Sequence, residues 1–210
     1  MTQNKNINKI VWGVIDNDIT IQKNLQKEII NIRALARRIK EKHKINSSLH
    51  AIISSIRRFD LDKFNEHEEE LTNIFHNSII RSQNKVVCIT IKRESLEFLD
   101  YIRKLDKKSL IKLIVGNINA KIIIASHDKE KLVDMIEKKH LIKYENVGEI
   151  VVNIGEEGKR TKGVMAKIAN ELSLRDINIK EMLASIPEII IYIDEKDLSK
   201  ASEILLSLAQ

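Results

Sequence analysis

Glu149-Ile150-Val151-Val152-Asn153-Ile154 is a β-branched run that stops at Gly155-Glu156-Glu157-Gly158, and Thr161-Lys162-Gly163-Val164 then opens a stretch of helical spacing to Leu174. The order is strand, glycine loop, helix. Gly155 and Gly158 let the backbone bend with positive φ, and Gly163 permits close approach at the helix start. N–H groups in such a loop, beside the positive end of a helix dipole, can hold a carboxylate. The same glycines can equally serve only to make the turn. Downstream, Asn178–Ser185 and Glu188–Asp194 are expected to form a hairpin turning at Pro187, and a helix from Leu198 to Leu208 closes the chain.

The same order precedes it. Val86–Ile91 is a short β-branched run, a helix is expected near Ser95–Leu105, and Leu110–Val115 with Ala120–Ala125 suggests a hairpin turning at Asn117. A helix near Lys129–Lys138 and a short strand at Leu141–Tyr144 follow. Each half reads β-α-β-β-α with a period of about 60 residues, as two ferredoxin-like units would, helices on one face of an antiparallel sheet. The second copy has no room for a last strand. Its apolar edge, Ile189–Ile193 among it, is expected to be covered by the first copy or by another chain.

Upstream the spacing is helical. Ile7, Ile10, Val11, Val14 and Ile15 mark one helix, Asp16-Asn17-Asp18 a break, and Ile21, Leu25 and Ile29 a second. Asn31 suits the N-cap of a third with Ile32, Leu35, Ala36 and Ile39 inward. Ser47 or Ser48 suits that of a fourth carrying Leu49, Ile52, Ile53 and Ile56. Phe64, Leu71, Ile74, Phe75 and Ile79 continue as a connecting helix. The net charge of +6 is concentrated here, with twelve Lys/Arg against five Asp/Glu in Met1–Asp60. An acidic partner is therefore expected at this end, nucleic acid first among the candidates. The pair of helices at Asn31–Lys42 and Ser47–Phe59 fits a helix-turn-helix, although its turn has no glycine. In that reading Ser47, Ser48, His50 and Ser54 face bases, while Arg33, Arg37, Arg38, Arg57 and Arg58 serve phosphates. A plain helical bundle is the alternative.

One cysteine, Cys88, excludes an internal disulfide framework and a multi-cysteine zinc site. No apolar run approaches the ~18 residues of a membrane span, and Met1–Lys9 is polar, unlike a secretory signal. A soluble, cytoplasmic protein is expected. There is no phosphate loop, no Gly-x-Gly-x-x-Gly and no His-Glu-x-x-His. His67 and Glu70 lie one turn apart without an evident third ligand, which suits a solvated face better than a metal. Cys88 sits between Val87 and Ile89 as a core residue. No catalytic residue, cofactor or metal is assigned.

Val151-Val152-Asn153-Ile154-Gly155, Lys162-Gly163-Val164-Met165-Ala166-Lys167-Ile168-Ala169 and Asp176-Ile177-Asn178-Ile179 together resemble an ACT domain. The close, Ile190-Ile191-Tyr192-Ile193-Asp194-Glu195-Lys196-Asp197-Leu198 with Ala201, is similar to the regulatory end of aspartate kinases. The resemblance covers Glu149–Leu208; 85–144 matches in element order. Ile29–Ile39 and Ala51–Arg58 resemble an archaeal group with ACT domains behind a helical segment, described as predicted regulators of amino-acid metabolism. The resemblance implies a βαββαβ fold that binds small molecules, usually amino acids, at paired domains. Its ligand loop falls on Asn153, Gly155, Glu156, Glu157, Gly158, Lys162 and Gly163, with Val164 opening the helix and Asn178 and Ile179 beginning the strand that lines the pocket. Many ACT loops have Pro-Gly where this chain has Lys162-Gly163, and the matching first-copy loop, Arg93-Glu94-Ser95, has no glycine.

The expectation is thus an α+β chain: a basic, helix-turn-helix-like helical domain (1–62), a connecting helix (63–83) and two ferredoxin-like βαββα(β) ACT-type modules (84–146 and 147–210). Its expected role is non-enzymatic regulation of amino-acid metabolism through a bound amino acid or similar metabolite. The alternatives are a DNA-binding transcription regulator or a regulatory subunit contacting a biosynthetic enzyme. A homodimer is also admitted.

Overall fold

A computed structural model describes residues 2–93, 111–136 and 140–210. The chain divides into two units, Met1–Glu70 and Leu71–Gln210. The first holds α1 (Thr2–Asp16), α2 (Ile19–Gln26), α3 (Ile32–Lys42) and α4 (Leu49–Arg57), and α5 (Asp62–His76) begins in it. Side-chain caps start three of them. Asp18 accepts from the N–H of Thr20 and Ile21, Asn31 from Ala34 at 3.0 Å and Ser48 from Ala51 at 3.2 Å. Each cap satisfies a donor that the first turn of a helix leaves unpaired. Val11, Ile15, Leu35, Ala36, Ile39, Ile52 and Ile56 form the core. Trp12 Nε1 donates to the Ser55 carbonyl at 2.9 Å, tying α1 to α4.

Two helix ends depart from the sequence reading or refine it. Ile29, expected on the inner face of the second helix, lies beyond α2 and is 70% exposed. Glu28 at φ +55 closes α2, with its N–H on Leu25 O and that of Ile29 on Asn24 O. This is a Schellman termination without glycine. Lys44 (φ +49) ends α3 the same way and delivers Ile45 to the core. The turn between α3 and α4 therefore needs no glycine.

In the second unit the strands are β1 (Ile79–Lys92), β2 (Lys112–Val115), β3 (Asn119–Ala125), β4 (Leu141–Asn153), β5 (Ile179–Ser185) and β6 (Glu188–Asp194). With them come α6 (Lys129–Met135), α7 (Val164–Ser173) and α8 (Leu198–Leu206). The two expected hairpins are present, β2–β3 and β5–β6. The helix expected near 95–105 and the end of that near 129–138 lie outside the described residues.

Three expectations are corrected. The connecting helix stops at His76, and Ile79 begins a 14-residue strand rather than ending a helix. The separate strands expected at Leu141–Tyr144 and from Glu149 are one continuous β4. Ile189–Ile193 is not an edge, because β6 lies between β4 and β5 in an antiparallel sheet of order β2-β3-β1-β4-β6-β5. One physical arrangement explains all three. The first part of β1, Ile79–Gln83, pairs with Glu149–Asn153, and its later part, Val86–Ile91, pairs with Leu141–Val147. Residues ahead of Val86 thus pair the half of β4 that Val86–Ile91 leaves open.

Between these parts β1 carries one extra residue, with Lys85 left-handed at φ +55 and its N–H held by Glu195 Oε1 at 2.9 Å. Such a bulge sharpens the local twist. The sheet curls until its two halves face each other. Lys121 of β3 reaches Glu181 of β5, and Lys112 of β2 reaches Glu149 of β4, although neither pair of strands is adjacent. Val86, Cys88, Ile123, Val147, Ile190 and Tyr192 fill the space between the halves. The outer faces are covered separately. Ile150, Val152, Ile189, Ile191 and Ile193 pack against α7, α8 and the end of α5, whereas Val87, Ile89, Ile122 and Ile124 pack with Leu132 of α6. Burial raises the Cys88 thiol above its ordinary value, as suits a core residue.

Lys180 on β5 links Glu145 of β4 (2.6 Å) and Asp194 of β6 (2.7 Å). The Lys180 hydrogen bond holds the Glu145 carboxyl below the ordinary range against the opposing effect of burial. Burial works to lower the Lys180 ammonium, but hydrogen bonds to Asp194 and Glu145 outweigh it and raise it. The carboxylate contribution is complete above its ordinary value of 4.5 and disappears as pH falls through the lowered native one. The ammonium contribution is complete below 10.5 and disappears as pH rises through the raised native value. Melting temperatures of wild type and Lys180→Met are therefore expected to differ by a constant gap between those values. The gap closes at both extremes, and one that persists unchanged into strong acid would contradict the linkage.

Candidate functional site

The loop that follows β4 is built from its ends inward. Asn153 Oδ1 accepts from the Gly155 N–H at 3.0 Å, an Asx turn that leaves the strand sharply. The Ile154 N–H donates to Pro187 O at 2.9 Å and ties the loop to the β5–β6 turn. Gly155 has φ +66 and open space around it, so its glycine serves conformation. Gly158 serves space. It is buried in a short 3-10 turn, Glu157–Lys159, and a Cβ there would lie 2.8 Å from Ile154.

Gly163, at φ +83, occupies the N-cap of α7, which like α6 and α8 has no side-chain cap, unlike α2, α3 and α4. The first N–H groups of a helix have no intrahelical acceptor. Here they follow a loop in which Glu156, Glu157 and Lys162 are exposed. Lys159 Nζ stands 4.0 Å from Glu156. Val164 is buried with Ile168 and Leu172, so its side chain belongs to the core and only its backbone is available to a ligand.

The structure gathers Asn153, Gly155, Glu156, Glu157, Gly158, Lys162, Gly163 and Val164 in one loop and helix start. It does not bring Asn178 and Ile179 to them. Ile179 is level with Ile193 and thus with Gly148, whereas Asn153 is level with Glu188 and Ser185. The five residues from Gly148 to Asn153 amount to about 17 Å along the strand. Ile179 begins β5, the outermost strand at that side of the sheet. In the first repeat, Arg93 Nη1 donates to Asn117 Oδ1 at 3.3 Å, while Glu94 and Ser95 lie outside the described residues.

Sequence reasoning did not find the polar cluster between the sheet halves. Glu149 is only 7% exposed, accepts from the Tyr192 hydroxyl at 2.6 Å and meets Lys112. Burial and the Glu149 acceptor hold the Tyr192 phenol well above its ordinary value, so it remains a donor. A glutamate opening a β-branched run was its one visible signal.

In the helical unit Arg33, Arg37, Arg38, Ser48, His50, Ser54, Arg57 and Arg58 are exposed and Ser47 is half-buried. Ser48 Oγ is engaged as the cap, and Arg58 Nη2 donates to Asn8 at 3.4 Å. Arg38 borders a cleft of about 500 Å³ with Asp18 and Asn31. His67 and Glu70 stand 3.7 Å apart, and among the described residues no group of three potential metal ligands occurs. No helix among them is long and apolar enough to cross a membrane.

The curled antiparallel sheet with its helices is similar in fold to aspartate kinase regulatory regions, in keeping with the C-terminal resemblance. A Clostridium acetobutylicum aspartate kinase matches with a TM-score of 0.53 and 17% identity over 62% of this chain and 34% of that one. A structure of aspartokinase alpha and beta subunits matches at 0.52 and 16%, over 61% and 95%. The ligand-free regulatory subunit of aspartate kinase from Thermus thermophilus matches at 0.51 and 9%, over 62% and 97%. The chain spans about a third of the clostridial enzyme's length. At these identities the likeness is one of fold. No family model and no curated protein matches the chain.

Proposed function

We propose that this chain is a non-enzymatic regulator of amino-acid metabolism whose sheet unit, read as two interlocked ACT-type modules, binds an amino acid or similar metabolite at 153–164. The observation that carries this reading is the start of α7 without a side-chain cap, behind the left-handed Gly163, in the same loop as the turn made by Asn153 and Gly155. An α-carboxylate suits that helix end, and Asn153, Glu156 or Glu157 takes the α-ammonium. The two glutamates disfavour a phosphate. Asn178 and Ile179, on the outer strand β5, would complete the site of a second copy, which makes a homodimer the natural assembly. A biosynthetic enzyme is the partner class that such a regulator would contact.

Binding to the folded state raises stability by about 2.7 kcal/mol at a hundredfold excess over the dissociation constant. A panel of the common amino acids at millimolar concentration should therefore include at least one that raises the melting temperature. Gly163→Asn, which keeps a residue tolerant of positive φ but places a side chain at the helix start, should lose that rise. Gly163→Val should lose it together with some stability. A flat response to the whole panel would leave the unit as a protein-interaction scaffold.

A further inference from the structure

We infer that the first unit binds duplex DNA, with α4 in the major groove and a single exposed row, His50, Ser54 and Arg57, reading base edges. The row is defined by geometry. Positions i, i+4 and i+7 of a helix lie on one face, and all three side chains are exposed while Ile52, Ser55 and Ile56 are buried on the other. From His50 to Arg57 the helix rises about 10 Å, the length of about three stacked base pairs at ~3.4 Å each. A B-form major groove admits a helix of this kind.

Three further observations favour DNA over a plain bundle. First, Asn31–Phe59 contains eight Lys/Arg and one acidic residue, Glu41. Second, among the described residues Arg33, Arg37 and Arg57 are exposed and have no carboxylate partner. With Glu41 the one acidic residue of Asn31–Phe59, the positive surface of this helix pair is left uncompensated. Third, α4 is fixed from both sides, by α3 through the Lys44 turn and by α1 through the Trp12–Ser55 bond. A reading helix must be held this way to keep its register. Arg33 and Arg37, one turn apart on the exposed side of α3, serve phosphates in this reading, as does the positive N-terminal end of α4. Arg58, turned to Asn8, and Ser48, engaged as the cap, are not part of the reading row.

The test uses the full chain and a fluorescent mixed-sequence duplex, followed by anisotropy as salt is raised. Wild type should bind at low salt with a steep negative slope of log affinity against log salt, about 0.9 for each phosphate neutralised. Arg33→Ala with Arg37→Ala should weaken binding to all sequences and flatten the slope by about one for each arginine lost. His50→Ala with Ser54→Ala should leave the slope unchanged but abolish enrichment of a preferred sequence from a randomised duplex pool. All four side chains are exposed, so an unchanged melting curve is expected for each variant. No salt-dependent binding by wild type would overturn the inference. So would equal or tighter binding to double-stranded RNA or to a poly-glutamate chain, which would mark a general polyanion surface. An enrichment that survives loss of His50 and Ser54 would overturn the reading row. No amino acid enters the experiment, so its failure is separate from failure of the metabolite reading.

Discussion

A chain that begins at Lys85 is expected to be aggregated or molten, whereas one that begins at Leu71 is expected to fold. The difference is fourteen residues, which a division of the chain by repeat would discard as linker. Among the described residues, Ile79–Gln83 is the strand segment that covers the Glu149–Asn153 edge of β4. Its loss would leave Ile150, Val151 and Val152 on an open, apolar edge of the kind that recruits other chains. Leu71, Ile74 and Phe75 are buried to 7, 4 and 3% exposure in the same core. At about 1.5–3 kcal/mol for each large side chain, the three together approach the ~5–15 kcal/mol by which a whole domain is stable. Circular dichroism, dye binding and gel filtration of the two fragments decide the point. Cooperative melting of the shorter one at the temperature of the longer one would contradict the strand exchange.

Glu149→Ala is expected to destabilise the chain by about 3 kcal/mol, at the lower end of the ~3–5 kcal/mol that follows removal of one partner of a buried ion pair. Lys112 keeps a side-chain exposure of 25% and can turn partly to water, but the Tyr192 hydroxyl, in a residue 1% exposed, cannot. Tyr192→Phe should cost less, about 1–2 kcal/mol, because Glu149 retains Lys112. The double variant should cost less than the two single costs together, since the two groups share one interaction. Urea denaturation of the four proteins measures this. A Glu149→Ala cost below about 1 kcal/mol would mean that the cluster is solvated rather than enclosed.

What the sequence disclosed was local. Asn31, and a cap at Ser47 or Ser48, were recognisable because capping needs a side chain and the three residues after it. The two hairpins were visible because each is closed by its own turn. The exchange of strands was not. Ile79 follows Phe75 at helical spacing, and only its pairing with Asn153, far along the chain, makes it a strand. Glu145, Asn146 and Gly148 resembled a break between elements, yet β4 runs through them. Gly148 is there because a Cβ would meet Leu198 at 2.8 Å. Likewise nothing in the spacing of Lys112, Lys121, Glu149 and Glu181 pairs them, and only the curl of the sheet turns them toward each other. At the candidate site Gly155 was legible as a backbone device, whereas Gly158 and Gly163 have the reverse of the roles expected of them: Gly163 takes the positive φ and Gly158 the tight space beside Ile154. Val164 was not legible as core, and the distance separating Asn178 and Ile179 from the loop depends on sheet register, which periodicity does not encode.

The central claim is that the backbone at the start of α7 holds a small metabolite, and backbone hydrogen exchange tests it at those amides. With a saturating amount of the amino acid that gives the largest melting shift, the segment 154–166 should exchange more slowly than in its absence. Gly163→Asn should lose that protection while its remaining segments exchange as in wild type. Protection confined to 2–70, or no change anywhere in 71–210 despite a melting shift, would contradict the account.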